Sequence, residues 1–227
     1  AKSKFYNKSK PIATLVEPLI ESLVKLNIAS GPNIFPFEGW INYDRVDSTS
    51  YFEYLDWQNK EKTEAYMLHL MPEHQQILAN FIRGGTKIDF RVQDINSGFA
   101  QHPDNSVDLI YLGQMIEHLN PIYETPKFLN DCFRMMRPNG TLRITTPDFN
   151  ILLKAYLSGE MDKFEGEQPD FYKDLDPSSQ LSLIMYGASG PDCTWNNYEG
   201  HMFLFTKTSM TRVLKEAGFK DIQFYYE

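Results

Sequence analysis

The stretch VDLIYL, residues 107–112, constrains this chain more than any other. Five of its six residues are apolar, and they run almost without alternation. That pattern marks a strand buried on both faces, the signature of a central position in a parallel sheet. A parallel neighbour requires a crossover connection of about a dozen residues or more. One follows. Residues 126–136 place Phe128, Leu129, Cys132, Phe133 and Met136 on one helical face, and the helix is expected to stop at Arg137-Pro138-Asn139-Gly140. Residues 141–145 then read as the next strand.

The same alternation recurs along the chain. Residues 24–28, 41–44, 88–93 and 222–226 read as further strands. Helices are expected over 12–23, interrupted at Pro18, over 74–82, closed by Gly84-Gly85, over 149–157, and over 206–217, closed by Gly218. Strands alternating with helices imply an α/β, doubly wound, mostly parallel sheet. Residues 47–87 and 159–200 break the rhythm with polar, aromatic and turn-forming residues. They read as insertions covering one end of the sheet. A length of 227 residues suits a single domain spanning 1–227. The chain starts at Ala and is expected to be one domain of a longer polypeptide.

A net charge of −8 argues against a nucleic-acid partner, which needs a basic face. Lys2, Lys4, Lys8 and Lys10 read as a solvated terminus. Cys132 falls within a helical pattern and is expected to be a buried thiol; Cys193 is far away, and no disulfide or zinc spacing joins them. No apolar run is long enough for a membrane span, and no signal-peptide core opens the chain. Cytoplasmic localisation is the expectation.

The first strand ends in KLNIASGPN, a cluster of small residues that lets a backbone approach a ligand. WINYD follows about ten residues later, then RVQDI, DNSVDLIYLGQMIEHL and CFRMMRPNGTLRITTPD. In this order and spacing the motifs resemble those of class I S-adenosylmethionine-dependent methyltransferases. The resemblance covers residues 25–159 and resumes from His201 to the end. It implies a Rossmann-like, seven-stranded sheet with the insertions over the C-terminal strand ends. It also implies a cofactor site. Asn27, Ala29, Ser30 and Gly31 would lie against the amino-acid part, and Asp44 would accept both ribose hydroxyls. Asp94 and the Ile95 backbone would hold the adenine, with Gly113, Gln114 and Met115 lining the methionine end and the ring.

Three departures stand out. Ala29 replaces the usual glycine, which is tolerable at negative φ. Ten residues between Gly31 and the second strand leave no room for the usual first helix, so a loop must replace it. Residues 47–87 add a segment before the third strand. The short first loop resembles a subgroup reading LNxGxGPNxxxGWINxD, associated with or fused to glycosyltransferases.

Methylating a hydroxyl also requires removal of its proton. His118 after the fourth strand, Asp148 after the fifth and His201 before the last helix are the catalytic candidates, with Glu117 as a further one. Asp148 has a second reading, as the N-cap of helix 149–157. A divalent ion, magnesium or manganese, held by Asp148, His201 and Asp192 is conceivable, although no compact ligand spacing announces a metal site. The aromatic and amide-rich composition of 159–200 suits a polyhydroxyl ligand, so the expected acceptor is a sugar hydroxyl on a glycan or glycoside. The alternatives are a small-metabolite O- or N-methyltransferase and a cofactor-binding interaction domain that no longer transfers methyl. The absence of G-x-G-x-x-G argues against a nicotinamide enzyme.

Overall fold

The computed structural model describes residues 23–30, 35, 39–45, 89–167, 170–186 and 200–225. The expected helices 12–23 and 74–82, the segment 47–87, Gly31, Asp192 and Cys193 fall wholly or almost wholly outside them.

Five strands form one sheet: β1 (Lys25–Ile28), β2 (Trp40–Asp44), β3 (Asp89–Val92), β4 (Val107–Gly113) and β5 (Met136–Thr145). Their order is β3-β2-β1-β4-β5, and every pairing is parallel. The chain runs outward from β1 to β3 in one direction and from β4 to β5 in the other. The direction therefore switches between β1 and β4, the crevice where open α/β sheets bind ligands.

The four α-helices among the described residues are α1 (Glu124–Met135), α2 (Phe149–Ser158), α3 (Pro177–Tyr186) and α4 (Lys207–Glu216). One face of the sheet carries Leu26, Ile28, Tyr43, Ile110 and Leu112. It packs on Phe128, Cys132 and Met135 of α1 and on Phe99. Met210, Val213 and Leu214 of α4 extend this layer with Ile116, Leu129 and Phe205. The third apolar group, with Leu152, Met161, Tyr172 and Ile184, joins α2 to α3 within the expected 159–200 insertion. Cys132 is buried, as its helical position implied.

Two expectations need correction. Arg137–Gly140 is not a turn between separate elements: Met136 already pairs with Val107, and pairing resumes at Leu109 with Thr141. The four residues bulge opposite Asp108, whose carboxylate accepts from Arg137 Nη1 at 2.9 Å and from the Val24 amide at 2.8 Å. Asn139 takes φ +68°. A Cβ on Gly140 would lie 2.5 Å from Met136 Cγ and 2.9 Å from the Arg137 carbonyl, so the bulge requires glycine. The second correction concerns residues 222–225, which pair with no strand among the described residues. Ile222 and Phe224 pack against the α4 layer instead. Alternation reports one-sided burial, and side-chain packing alone satisfies it here. The sixth and seventh strands implied by the resemblance are therefore not among the described elements.

No helix among the described residues is long and apolar enough to cross a membrane.

Candidate active site at the switch point

Two non-glycine residues turn left-handed at the strand ends that flank the crevice. Ala29 follows β1 at φ +53°, and Gln114 follows β4 at φ +51°. Left-handed backbone costs an L-residue roughly 1–2 kcal/mol, and such strain collects at functional sites. Each turn is anchored to a neighbouring strand. The Ser30 amide donates to the Tyr43 carbonyl at 3.0 Å, and the Gln114 amide donates to the Thr145 carbonyl at 2.9 Å. Ala29 does not meet the negative-φ condition under which its methyl group was expected to be tolerable. Gly113 keeps an ordinary φ; a Cβ there would meet the ring of Tyr111 at 3.0–3.3 Å.

A buried asparagine pair underlies the crevice. Asn27 and Asn42 face each other across β1 and β2, and Asn27 Nδ2 donates to Asn42 Oδ1 at 2.9 Å. Asn42 Oδ1 also accepts from the Phe35 amide at 2.8 Å, while its Nδ2 donates to the Phe35 and Asp89 carbonyls at 3.0 and 3.2 Å. This places the Phe35 ring between Trp40 and Tyr111, with centroids 4.7 and 5.3 Å away. Phe35 is the one described residue between Ser30 and Gly39.

The other cofactor candidates occupy strand-end positions. Asp44 closes β2, and its carbonyl accepts from the Gln93 amide at 2.7 Å. Asp94 caps the 3-10 turn Ile95–Ser97, accepting from the Asn96 amide at 2.8 Å. Ile95 packs against the main core, and Met115 is buried within it.

The catalytic candidates divide. The rings of His118 and His201 meet edge-on, with centroids 4.9 Å apart. Asp148 caps α2, accepting from the Asn150 amide at 2.8 Å. The carboxylate grouped with both imidazoles is Glu117: one ligand atom from each of Glu117, His118 and His201 lies within 4.8 Å of the others. Glu117 is 0% exposed. Its Oε2 accepts from Thr146 Oγ1 at 2.9 Å, and its carbonyl accepts from the Met202 and Phe203 amides at 2.8 and 3.1 Å. Burial pushes the carboxyl above its usual range, against the pull of its own amide, Thr146 and His118.

His201 is oriented by its own contact. Its Nδ1 lies 2.9 Å from the Ile184 carbonyl on α3. A carbonyl only accepts, so the proton sits on Nδ1 and the lone pair on Nε2. Burial, and then the charge of His118, hold this imidazole below its ordinary pKa, against the pull of the Ile184 and Met185 backbone. Thr146 and Ile184 were not anticipated. Thr146 lies beside the motif after β5, where a hydroxyl next to a strand-end acid is a weak signal. Ile184 acts through its backbone, which leaves no mark in a sequence.

The family described as a methyltransferase domain matches residues 41–223. This chain belongs to that family. A probable S-adenosylmethionine-dependent methyltransferase from Mycolicibacterium smegmatis is 41% identical over 46 residues, covering 20% of this chain and 17% of that protein. Among solved structures, a SAM-dependent methyltransferase from Archaeoglobus fulgidus shows 14% identity and a TM-score of 0.47, over 92% of this chain and 67% of the other. PKMT2 from Rickettsia typhi, in complex with AdoHcy, shows 13% identity and a TM-score of 0.44, over 88% and 39%.

Proposed function

We propose that this methyltransferase domain methylates an oxygen acceptor, a sugar hydroxyl of a glycan or glycoside, with the donor lying across the ends of β2, β1 and β4. The observation that carries the reading is the pair of left-handed turns at Ala29 and Gln114, which flank the switch point between β1 and β4, with Asp44 at the end of the neighbouring β2 and His118 after β4. Bound there, S-adenosylmethionine supplies a methyl group already attached to a good leaving group, so alignment and exclusion of water are left to the protein.

Asp44 offers a carboxylate to paired ribose hydroxyls, and Asp94 offers one to an exocyclic amine. At the acceptor end, Nε2 of His201 carries a lone pair and is the position that takes a hydroxyl proton. Glu117 stabilises the imidazolium that forms, and Ile184 keeps the ring in register. The composition of residues 159–200 and the subgroup resemblance favour a sugar, with a glycosyltransferase acting on the same glycan as partner.

The test is isothermal titration with S-adenosylhomocysteine, followed by mass spectrometry of an acceptor panel. Asp44→Ala is expected to weaken binding by about 1.5–3 kcal/mol, the worth of hydrogen bonds to a charged group. Failure of the wild type to bind overturns the cofactor reading. Methylation of small phenols or amines, with every sugar left unmodified, overturns the acceptor.

A further inference from the structure

Glu117 Oε1 is fully buried and makes no hydrogen bond among the described residues. An orphaned carboxylate oxygen inside a protein is costly, and each such atom calls for an explanation. Its surroundings supply one. Every other polar atom that positions this group is already occupied: Oε2 by Thr146, the backbone carbonyl by Met202 and Phe203, and Nδ1 of His201 by Ile184. That leaves one carboxylate oxygen of Glu117 and the Nε2 lone pair of His201, in a group with His118 in which each of the three residues offers a ligand atom within 4.8 Å of the others.

We propose that Glu117, His118 and His201 form a binding site for a divalent transition-metal ion. Two imidazoles and one carboxylate, with positions left open, suit Zn²⁺, Co²⁺, Mn²⁺ or Fe²⁺ better than Mg²⁺, which prefers an all-oxygen shell. Ligand atoms around a tetrahedral ion with bonds of about 2.0–2.2 Å sit roughly 3.3 Å apart. The three side chains therefore need to close by up to about 1.5 Å. The supporting contacts fit as well. Metal-bound histidines typically donate their second nitrogen to a carbonyl or carboxylate, and bound carboxylates are themselves hydrogen-bonded. The pairs His201–Ile184 and Glu117–Thr146 match both patterns. This set differs from the Asp148, His201 and Asp192 combination conceived from the sequence.

The role of the site rests on the acceptor reading above. Three protein ligands leave room for two acceptor oxygens, such as a vicinal diol. A bound ion would occupy the imidazole lone pairs, so the base role given to His201 above belongs to the metal-free protein; the ion would instead lower the pKa of the hydroxyl, which releases its proton to solvent water.

The experiment is a Co²⁺ titration of tag-free, chelator-stripped protein, read by visible d–d absorption, with Zn²⁺ competition. S-adenosylhomocysteine binding is measured on the same samples as a separate readout. One equivalent of Co²⁺ is expected to bind and be displaced by Zn²⁺. Binding should be lost in His201→Ala and Glu117→Gln and weakened roughly 10–100-fold in Thr146→Val, with unfolding curves confirming that each variant is folded. Wild type that binds S-adenosylhomocysteine but takes up neither ion overturns the metal site and leaves the methyltransferase reading intact. Uptake that persists in both His201→Ala and Glu117→Gln also overturns it. Metal binding without S-adenosylhomocysteine binding keeps the site and overturns its proposed role.

Discussion

Ala29 carries a methyl group into a left-handed turn, at φ +53°. Glycine adopts that conformation without steric penalty. Ala29→Gly should therefore raise stability by about 1 kcal/mol, the left-handed strain less the extra entropy glycine loses on folding. Urea unfolding checks this; a less stable variant would show that the methyl group packs productively. A second residue-scale expectation concerns Tyr43, whose hydroxyl accepts from Arg91 Nη1 at 3.1 Å and Gln101 Nε2 at 3.2 Å. Its own proton then goes to His102 Nε2, 2.8 Å away. Burial first, then Arg91 and Arg134, lower the His102 pKa, with Asp89 opposing. The unfolded chain therefore binds the proton more readily, and stability rises with pH across this titration. As pH falls below the ordinary imidazole value of about 6.5, the folded state loses stability until the native pKa is reached. Wild type should lose more stability between pH 7.5 and 5.5, measured by urea midpoints, than His102→Gln; equal losses would remove His102 as the cause.

At the scale of elements, the unusual part is the connection from β1 to β2. Few residues join the two strands, and backbone groups outside a ladder need partners. Asn42 supplies them for Phe35 while holding Asn27 and β3. Asn42→Leu fills the space but removes the hydrogen bonds that Asn42 makes with Asn27, the Phe35 backbone and the Asp89 carbonyl. It should cost at least about 1–3 kcal/mol, the penalty for one buried unsatisfied group. Because the same connection leads out of β1 beside Ala29, S-adenosylhomocysteine affinity should fall as well. Retained affinity at reduced stability would separate the connection from the cofactor crevice. β5 shows a different use of an element. Its bulge over residues 137–140 lets Arg137 reach Asp108 while Thr145 stays in register with Gly113. The strand end that leads to Thr146 is thereby set against the loop carrying Glu117.

At the scale of the whole molecule, the proposed site has two ends built on different supports. Asp44 belongs to β2, whereas Glu117 and His118 follow β4 and His201 is held by α3. β2 and β4 are separated by β1, two strand spacings or about 10 Å. Mutations at the two ends should therefore add. Asp44→Ala should weaken S-adenosylhomocysteine binding, His201→Ala should cut methyl transfer while leaving that binding unchanged, and the double variant should show the sum within about 0.5 kcal/mol. Strong coupling would mean that the acceptor end shapes the cofactor crevice. His201 reaches its place because the Met202 and Phe203 amides lock onto the Glu117 carbonyl and its ring locks onto α3.

The sequence by itself determined the parallel α/β class, the positions of β1 to β4, the second half of β5 and the helices near 126–136, 149–157 and 206–217, because burial periodicity and turn chemistry are local; the helix Pro177–Tyr186 and the first half of β5 were not legible in it. It also marked the small-residue stop after β1, the acids ending β2 and opening the turn after β3, and the two histidines as candidates. Tertiary structure decided what pairs with what. Residues 222–225 alternate like a strand, yet they only pack. Asp148 looks equally suited to catalysis or capping in sequence, and in the fold it accepts from the Asn150 amide as the cap of its own helix. Glu117 ranked behind both histidines when read as one letter in EHL. Only folding buries it, leaves one oxygen without a partner and brings His201 beside it from across the chain. The reason is physical: hydrogen-bond satisfaction and burial are properties of a closed packing, and a linear pattern carries the tendency toward burial but not the identity of the partner.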